Sequence, residues 1–168
     1  LKDRSADYAE GLLYQIKSLS SVPVINMESA TLHPLQSLAD LVTIREHQRV
    51  VQPKIVLSWA PHPRALPQSV ANSFLEWTVA AGHDVTVVQP EGFELCEKFT
   101  KGANVMHDQQ AAFKGADFVY VKNWSNYKDY GKITSEDSSW MMTQKKLKTA
   151  KFMHCLPVRR NVVVEDAV

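Results

Sequence analysis

The chain has 168 residues, of which 45% are hydrophobic and 22% are charged, and its formal net charge at pH 7 is +1. This length suffices for one ordinary domain with a sizeable core, or for one domain and part of another. A charge so close to zero gives no electrostatic footprint for nucleic acid or an anionic membrane, so neither partner is predicted. Any bound anion is expected to be small and held by a few local cations.

No apolar run approaches the roughly 20 residues of a membrane span, and the first residues lack the pattern of a secretory signal. The two cysteines, Cys96 and Cys155, lie far apart without Cys-x-x-Cys spacing, which argues against zinc and against a disulfide framework. A reduced, cytoplasmic protein with no metal site is therefore predicted. Leu1 is not an initiator methionine, and the last five residues are typical of the opening of a helix, so we expect a piece of a larger protein.

The N-terminal part is predicted to hold two helices and one strand. Apolar residues at helical spacing predict a helix over 7–19, and Pro23 marks the break after it. Residues 22–27 then favour a short buried strand. A second helix is predicted from Pro34 to about His47. Proline suits a first helical turn, because a backbone N–H at that position would have no partner within the helix.

A polar connector at 48–53 is the candidate domain boundary, and regular alternation of strands and helices follows it. Residues 54–60 are a continuous apolar run, typical of a strand buried on both faces of a parallel sheet. A proline-rich loop then leads to a helix from Ser69 that stops at Gly82. Further strands are predicted over 84–89, 118–121 and 151–153, and further short helices within 90–101, over 108–113 and over 143–147. The pattern predicts an α/β fold with a doubly wound, mostly parallel sheet.

Polar residues follow the predicted strands, and ligands of such sheets bind beyond the carboxyl ends of the strands. These residues are Glu28, His62, Arg64, Glu91, Lys122, Asn123, His154, Cys155 and Arg159. We therefore predict an active site at that edge. The six glycines supply neither Gly-x-Gly-x-x-Gly nor a P-loop, which favours chemistry on small polar substrates without a cofactor.

Several candidate site residues can also be interpreted as purely structural. Cys155 beside His154 suggests a thiol nucleophile, but adjacent strand residues point to opposite faces, so His154 is not its expected base, and an inert cysteine stays equally open. His33 and Gln36 lie one turn apart where a ligand oxygen could bind, or His33 only caps the helix. Arg159 and its neighbour Arg160 could clamp a carboxylate, or form an ordinary surface pair.

The order of these elements resembles the aspartate/ornithine carbamoyltransferase superfamily. The resemblance is carried by Glu28, by His-Pro-Leu-Gln-Ser-Leu-Ala-Asp at 33–40, by Trp-Ala-Pro-His-Pro-Arg at 59–64, by Tyr-Val-Lys-Asn-Trp at 120–124 and by His-Cys-Leu-Pro-Val-Arg-Arg-Asn at 154–161. Ornithine-specific members have an Asp and a Ser-Met-Gly run where this chain has Lys122-Asn123-Trp124. In this departure the chain resembles the branch of the family that acts on N-acetylornithine or N-succinylornithine. Val163, where acetyl-specific members have lysine, favours N-succinylornithine.

The resemblance implies carbamoyl transfer from carbamoyl phosphate to the δ-amine of an N-acylornithine, in arginine biosynthesis and without a cofactor. The implied catalytic residues are His33, Cys155 and Leu156. Carbamoyl phosphate would be bound by His33, Pro34, Leu35, Gln36, Cys155 and Leu156. The acylornithine would be bound by Glu28, His62, Lys122, Leu156 and Arg159. A homotrimer with a knotted chain is also implied, with Pro61 to Gln68 as the loop of the knot.

The family's Ser-x-Arg-Thr phosphate cradle would precede Leu1, and a further phosphate-binding arginine would follow Val168. Residues 1–47 are therefore expected to be the C-terminal remnant of the carbamoyl-phosphate domain with its connecting helix. Residues 48–168 would be the acylornithine-binding domain and the start of the return to the first domain. The 168 residues alone are expected to be weak or inactive as a catalyst. Two rivals stay open, namely a ligand-binding or scaffold fragment and a nucleotide-binding oxidoreductase.

Overall fold

A five-stranded parallel sheet organises the computed structural model, which describes residues 3–168. Its strands are β1 (Lys54–Ala60), β2 (Asp84–Val88), β3 (Asn104–Met106), β4 (Phe118–Asn123) and β5 (Lys151–Met153). They lie in the order β3-β2-β1-β4-β5, and all four neighbouring pairs are parallel. Because the chain winds outward from β1 in both directions, the predicted doubly wound sheet is confirmed.

The apolar strands separate two layers of core. Ile55, Leu57 and Trp59 of β1 face one cluster, in which they pack against helix residues such as Phe74. Val56 and Ala60 belong to the other cluster on the opposite face. Since helices cover both faces, every β1 residue after Lys54 is buried, which explains why its sequence is a continuous apolar run.

Seven α-helices are described within residues 3–168. They are α1 (Arg4–Tyr8), α2 (Gly11–Leu19), α3 (Pro34–His47), α4 (Ser69–Ala80), α5 (Glu97–Thr100), α6 (Gln109–Phe113) and α7 (Gln144–Leu147). The side chains of Asp108 and Thr143 cap α6 and α7 by accepting hydrogen bonds from backbone N–H groups. The predictions for α3, α4, α6 and α7 are confirmed.

The N-terminal segment differs from its prediction in two ways. The helix expected over 7–19 is broken at Glu10, whose φ of 53° lies in the left-handed region. The Glu10 carboxylate also accepts a hydrogen bond from the backbone N–H of Thr31, 2.8 Å away, so the break ties α2 to the approach to α3. The buried strand over 22–27 is wrong, since Val22 and Ile25 are 69% and 75% exposed. Within residues 3–168 no strand lies beside this segment to pair with its backbone.

One smaller prediction fails, and one strand was not predicted. Residues 164–168 form a bridge and turns, not the opening of a helix. The edge strand β3 was not predicted, because it has only three residues of mixed polarity, too few to show an alternation of apolar and polar side chains. No helix of the described chain is long and apolar enough to cross a membrane.

Helix α3 attaches the N-terminal residues to the sheet by packing against α4. Ile44 enters the core beside α4. At the other end of α3, the His33 backbone N–H donates to Ser73 Oγ at 2.7 Å, and Asn72 Nδ2 donates to the Thr31 carbonyl at 3.2 Å. These contacts place the start of α3 at the carboxyl edge of the sheet.

Candidate active site

Four of the predicted site residues converge at the carboxyl ends of β1, β4 and β5. Lys122, the penultimate residue of β4, donates a hydrogen bond from Nζ to the Sγ of Cys155, 3.4 Å away. Arg159 donates from Nε to the Nε2 of His62, at 3.1 Å. The parallel register of β1 and β4 pairs Lys122 with Trp59 and so brings it to the edge from which the His62 loop departs. The structure therefore brings together side chains that are up to 97 residues apart.

His62 is held as a neutral hydrogen-bond acceptor. Its Nδ1 donates to the Arg64 carbonyl at 2.7 Å, which leaves the Nε2 lone pair for the guanidinium of Arg159. Burial lowers the pKa of His62 below its ordinary 6.5, outweighing the hydrogen bond to Arg64, and the nearby charges of Arg159 and Lys122 lower it further. At neutral pH the imidazole therefore orients Arg159 without repelling it.

His154 is held by the backbone and makes no hydrogen bond to the Cys155 thiol within residues 3–168. Its Nδ1 accepts a hydrogen bond from the backbone N–H of Leu156 at 2.9 Å. Burial, with smaller contributions from Lys122 and His62, lowers the pKa of His154 to about 4. The Cys155 thiol accepts its hydrogen bond from Lys122. His154 and Cys155 follow the end of β5 at Met153, so the strand alternation assumed from the sequence does not describe them.

Leu156 has an unusual backbone conformation at the rim of the site. Its φ is 42°, a region that leucine rarely adopts, and its side chain is 70% exposed. Strained residues of this kind cluster at ligand-binding sites, where the surrounding structure fixes them. Here the hydrogen bond from Leu156 N–H to His154 Nδ1 is part of that support.

The start of α3 supplies a second group of polar atoms. His33 occupies the N-cap position of α3, yet its side chain makes no capping hydrogen bond, so the capping alternative is wrong for the imidazole. His33 Nε2 lies 3.7 Å from Glu28 Oε2, while Ser69 Oγ donates to Glu28 Oε1 at 3.0 Å. His33 Nδ1 is buried without a hydrogen-bond partner among residues 3–168. A helix start with an unsatisfied buried nitrogen suits a ligand oxygen.

Other residues of the predicted edge do not join this cluster. Arg160 pairs with Asp166 at 2.7 Å on the surface, so it is not part of a double arginine clamp. Glu91 is exposed and makes no hydrogen bond or ion pair to the site within the described chain. Glu28 does lie beside the site, although it follows an extended segment and not the strand that was predicted before it.

Asp40 and Tyr120 were missed by the sequence analysis as site residues. Both are buried, and neither the Tyr120 hydroxyl nor Asp40 Oδ2 has a hydrogen-bond partner within residues 3–168. Burial raises the pKa of Asp40 to about 6, against the lowering effect of a hydrogen bond from Gln36. Burial also raises the pKa of Tyr120. The spacing of Gln36 and Asp40, four residues apart on one helix face, was the available signal.

A cavity of about 980 Å³ lies elsewhere, between α6 and α7. Lys146 lines it, but its ammonium group is already satisfied by Gln109 Oε1 at 2.7 Å and by the Met141 carbonyl at 2.8 Å. Lys146 therefore connects α7 to α6 and to the loop at 138–142. Within residues 3–168 no group of three or more His, Cys, Asp or Glu side chains is arranged to hold a metal ion.

The fold and the site together define an α/β domain with a parallel sheet, a cationic carboxyl edge and no glycine-rich phosphate loop in its sequence. Residues 67–168 match the family described as "Aspartate/ornithine carbamoyltransferase, Asp/Orn binding domain". The chain belongs to this carbamoyltransferase family. The resemblance found in the sequence motifs is thereby confirmed.

Two similar relatives are named as carbamoyltransferases of an acylated ornithine. The chain is 50% identical over 172 residues to N-succinylornithine carbamoyltransferase of Bacteroides thetaiotaomicron, with 99% of this chain and 54% of the relative covered. It is 35% identical over 190 residues to N-acetylornithine carbamoyltransferase of Xanthomonas axonopodis pv. citri, with 99% and 55% covered. The chain thus spans about half the length of the curated relatives it matches.

A solved structure shows the same fold. A mutant of N-acetyl-L-ornithine transcarbamylase, complexed with carbamyl phosphate and N-succinyl-L-norvaline, matches with a TM-score of 0.88 at 34% identity. The match covers 98% of this chain and 57% of the other. The α/β carbamoyltransferase fold is therefore shown.

Proposed function

We propose that the intact protein transfers the carbamoyl group of carbamoyl phosphate to the δ-amine of an N-acyl-L-ornithine, with N-succinyl-L-ornithine preferred over N-acetyl-L-ornithine. The observation that carries this proposal is Lys122, a cation only 7% exposed whose polar partner is the weak acceptor Cys155 Sγ. A buried ammonium group is costly unless an anion meets it. The free α-ammonium group of ornithine would be repelled there, whereas an acylated substrate has lost that charge. The names of the relatives support the same substrate class.

Carbamoyl phosphate would bind at the start of α3. His33, through the nitrogen that lacks a partner in the described chain, would donate to the carbonyl oxygen of the carbamoyl group, which gains charge during attack. Pro34 and Leu35 form the first turn of α3, where the Leu35 N–H has no intrahelical partner and could donate to the ligand, whereas Pro34 has no N–H and would only contact it. Gln36, Cys155 and the main-chain carbonyl of Leu156 would orient the carbamoyl NH₂ and the incoming amine.

The acylornithine would bind across the other half of the cluster. Arg159, held by His62, would pair with one substrate carboxylate, and Lys122 would meet the succinyl carboxylate. Glu28 would accept a hydrogen bond from an amine or amide of the substrate. The neutral δ-amine would attack the carbamoyl carbon, the bond to the phosphate oxygen would break, and the proton lost by the amine would end on the leaving phosphate. The products are the N-acylcitrulline and phosphate.

We further propose the assembly and setting that the family resemblance implies. Residues up to 47 would belong to the carbamoyl-phosphate domain and residues from 48 to the acylornithine domain. The intact protein would be a cytoplasmic homotrimer of arginine biosynthesis. The loop from Pro61 to Gln68 would form the knot, and Gln68 is buried and hydrogen-bonded to Tyr8 in the described chain.

Product analysis tests the proposed reaction. The intact protein is incubated with ¹³C-labelled carbamoyl phosphate and N-succinyl-L-ornithine, and products are followed by ¹³C and ³¹P NMR. We expect the label in the δ-ureido group, with one phosphate released for each carbamoyl group transferred. Release of phosphate without a labelled ureido product would contradict the proposal.

A second candidate function is binding of acylornithine without turnover by these 168 residues. It is favoured by the coverage of about half of the relatives, together with the absence of a Ser-x-Arg-Thr run from the sequence. We expect the 168-residue chain to bind N-succinyl-L-ornithine in calorimetry with weak or absent carbamoyl transfer. Arg159→Met is the matched control and should abolish the binding heat. Turnover near the rate of the intact protein would contradict this expectation.

A further inference from the structure

Helix α4 carries a strip of polar side chains that is completely buried. The strip consists of Ser69, Asn72 and Ser73, whose exposed fractions are all 0%. Their spacing of three and four residues places them on one face of the helix. Ala71 and Phe74, on the opposite face, pack into the core. Since buried polar groups need hydrogen-bond partners, the strip must be paired with another part of the chain.

Two members of the strip hold the backbone on either side of Leu32, at the approach to α3. The Ser73 Oγ accepts a hydrogen bond from the His33 N–H at 2.7 Å, and Asn72 Nδ2 donates to the Thr31 carbonyl at 3.2 Å. From the other side of this turn, the Glu10 carboxylate accepts from the Thr31 N–H at 2.8 Å. The main chain that carries the His33 imidazole is therefore fixed relative to α4.

The third member of the strip holds a side chain. Ser69 Oγ donates to Glu28 Oε1 at 3.0 Å, while Glu28 Oε2 lies 3.7 Å from His33 Nε2. The Glu28 side chain is 52% exposed, so without Ser69 it could adopt other rotamers in solvent. Ser69 thus fixes one carboxylate oxygen and leaves the other one beside His33.

We propose that Ser73 and Ser69 are positioning residues for the two halves of the site, Ser73 acting through His33 on carbamoyl phosphate and Ser69 acting through Glu28 on the acylornithine. This inference rests on the proposed function. Because the two serines lie four residues apart on one helix, α4 sets the position of His33 relative to Glu28. The same arrangement explains why a helix with no exposed surface at these positions has hydroxyl groups there.

Steady-state kinetics of the intact protein, with each substrate varied in turn, test the inference. Ser73→Ala should raise the KM for carbamoyl phosphate about 10-fold, as for the loss of one buried hydrogen bond. Its KM for N-succinyl-L-ornithine should change less than about twofold, because Glu28 keeps its bond to Ser69. Ser69→Ala should show the opposite division, with a rise of about fivefold for N-succinyl-L-ornithine, since Glu28 is half exposed.

Thr78→Val is the matched control. Thr78 lies on the same helix without exposed surface, and its hydroxyl donates within α4, to the Phe74 carbonyl. Valine keeps the shape of the side chain and removes the hydroxyl. This variant should lower the unfolding midpoint and leave both KM values unchanged.

A merely structural role would make Ser73→Ala and Ser69→Ala behave as Thr78→Val, with a lower unfolding midpoint and unchanged KM values, and that result would overturn the inference. Equal losses for both substrates in each serine variant would also overturn it. If Ser73→Ala fails to fold, Ser73→Cys offers a weaker acceptor of similar size and should raise the KM for carbamoyl phosphate by a smaller factor. A wild-type protein without carbamoyl transfer would contradict the proposed function itself. Active wild type with unaffected serine variants would contradict only the positioning role.

Discussion

Lys122→Asp is expected to lower kcat/KM for N-succinyl-L-ornithine by about 1,000-fold in the intact protein. Reversing a buried charge that faces a substrate carboxylate removes an attraction and adds a repulsion. The attraction lost and the repulsion gained are each about 2 kcal/mol, as for a charge-assisted contact, and their sum of about 4 kcal/mol corresponds to roughly three powers of ten in rate. Steady-state kinetics with varied N-succinyl-L-ornithine measure the loss.

The companion variants separate charge from packing. Lys122→Met keeps the length of the side chain and should lose about 30-fold, because only the attraction of about 2 kcal/mol is removed. Lys145→Asp, exposed on α7, is the matched control and should keep the wild-type value. The ratio of activity on L-ornithine to that on N-succinyl-L-ornithine should rise in Lys122→Asp, since aspartate can meet a free α-ammonium group. A folded Lys122→Asp variant with wild-type selectivity would refute the assigned role of Lys122.

Arg159→Met is expected to lower kcat/KM for the acylornithine by about 100-fold, mainly through KM. Arg159 is the donor that His62 holds toward the site, and a guanidinium pairs with a carboxylate through two parallel hydrogen bonds. The KM for carbamoyl phosphate should stay near its wild-type value, since Arg159 contacts none of the α3 residues proposed to bind it. Equal losses for both substrates would show a general disturbance of the site instead.

The same pair predicts a pH dependence. Burial lowers the pKa of His62 below 6.5, so the acceptor nitrogen is free at neutral pH and becomes protonated only as the pH falls below that value. The KM for acylornithine should then rise on the acid side, because a protonated imidazole no longer accepts from Arg159 and repels it. His62→Gln offers an oxygen acceptor that does not titrate, and it should flatten this limb of the profile. An identical acid limb in His62→Gln would assign the titration to another group.

Much of the fold could be predicted because the informative segments are long and apolar. The run at 54–60 is buried on both faces, and its composition alone indicates a central parallel strand. Gly82 after α4 and Asp108 before α6 mark helix ends through known cap chemistry. In a parallel sheet the strand ends share one edge, so Lys122, Cys155 and His62 could be placed together before any coordinates were known.

The failures have physical reasons too. Residues 22–27 have the composition of a strand, but strand formation requires a neighbouring backbone, which the described chain does not place beside them. Asp40 and Tyr120 belong to two different elements, 80 residues apart in the chain, and nothing local indicates that both carry buried polar atoms without partners. The tautomer of His62 depends on the Arg64 carbonyl and on Arg159, which only the folded loop brings together.

The central claim is that a carboxyl-edge lysine selects acylated over free ornithine, and competition between amines tests it most directly. The intact protein is given limiting carbamoyl phosphate with equimolar N-succinyl-L-ornithine, N-acetyl-L-ornithine and L-ornithine, and the three ureido products are quantified by mass spectrometry. We predict mostly N-succinylcitrulline, then N-acetylcitrulline, with free citrulline at about 1% or less, as the loss of one charge-assisted contact implies. Free citrulline as the main product would contradict the account.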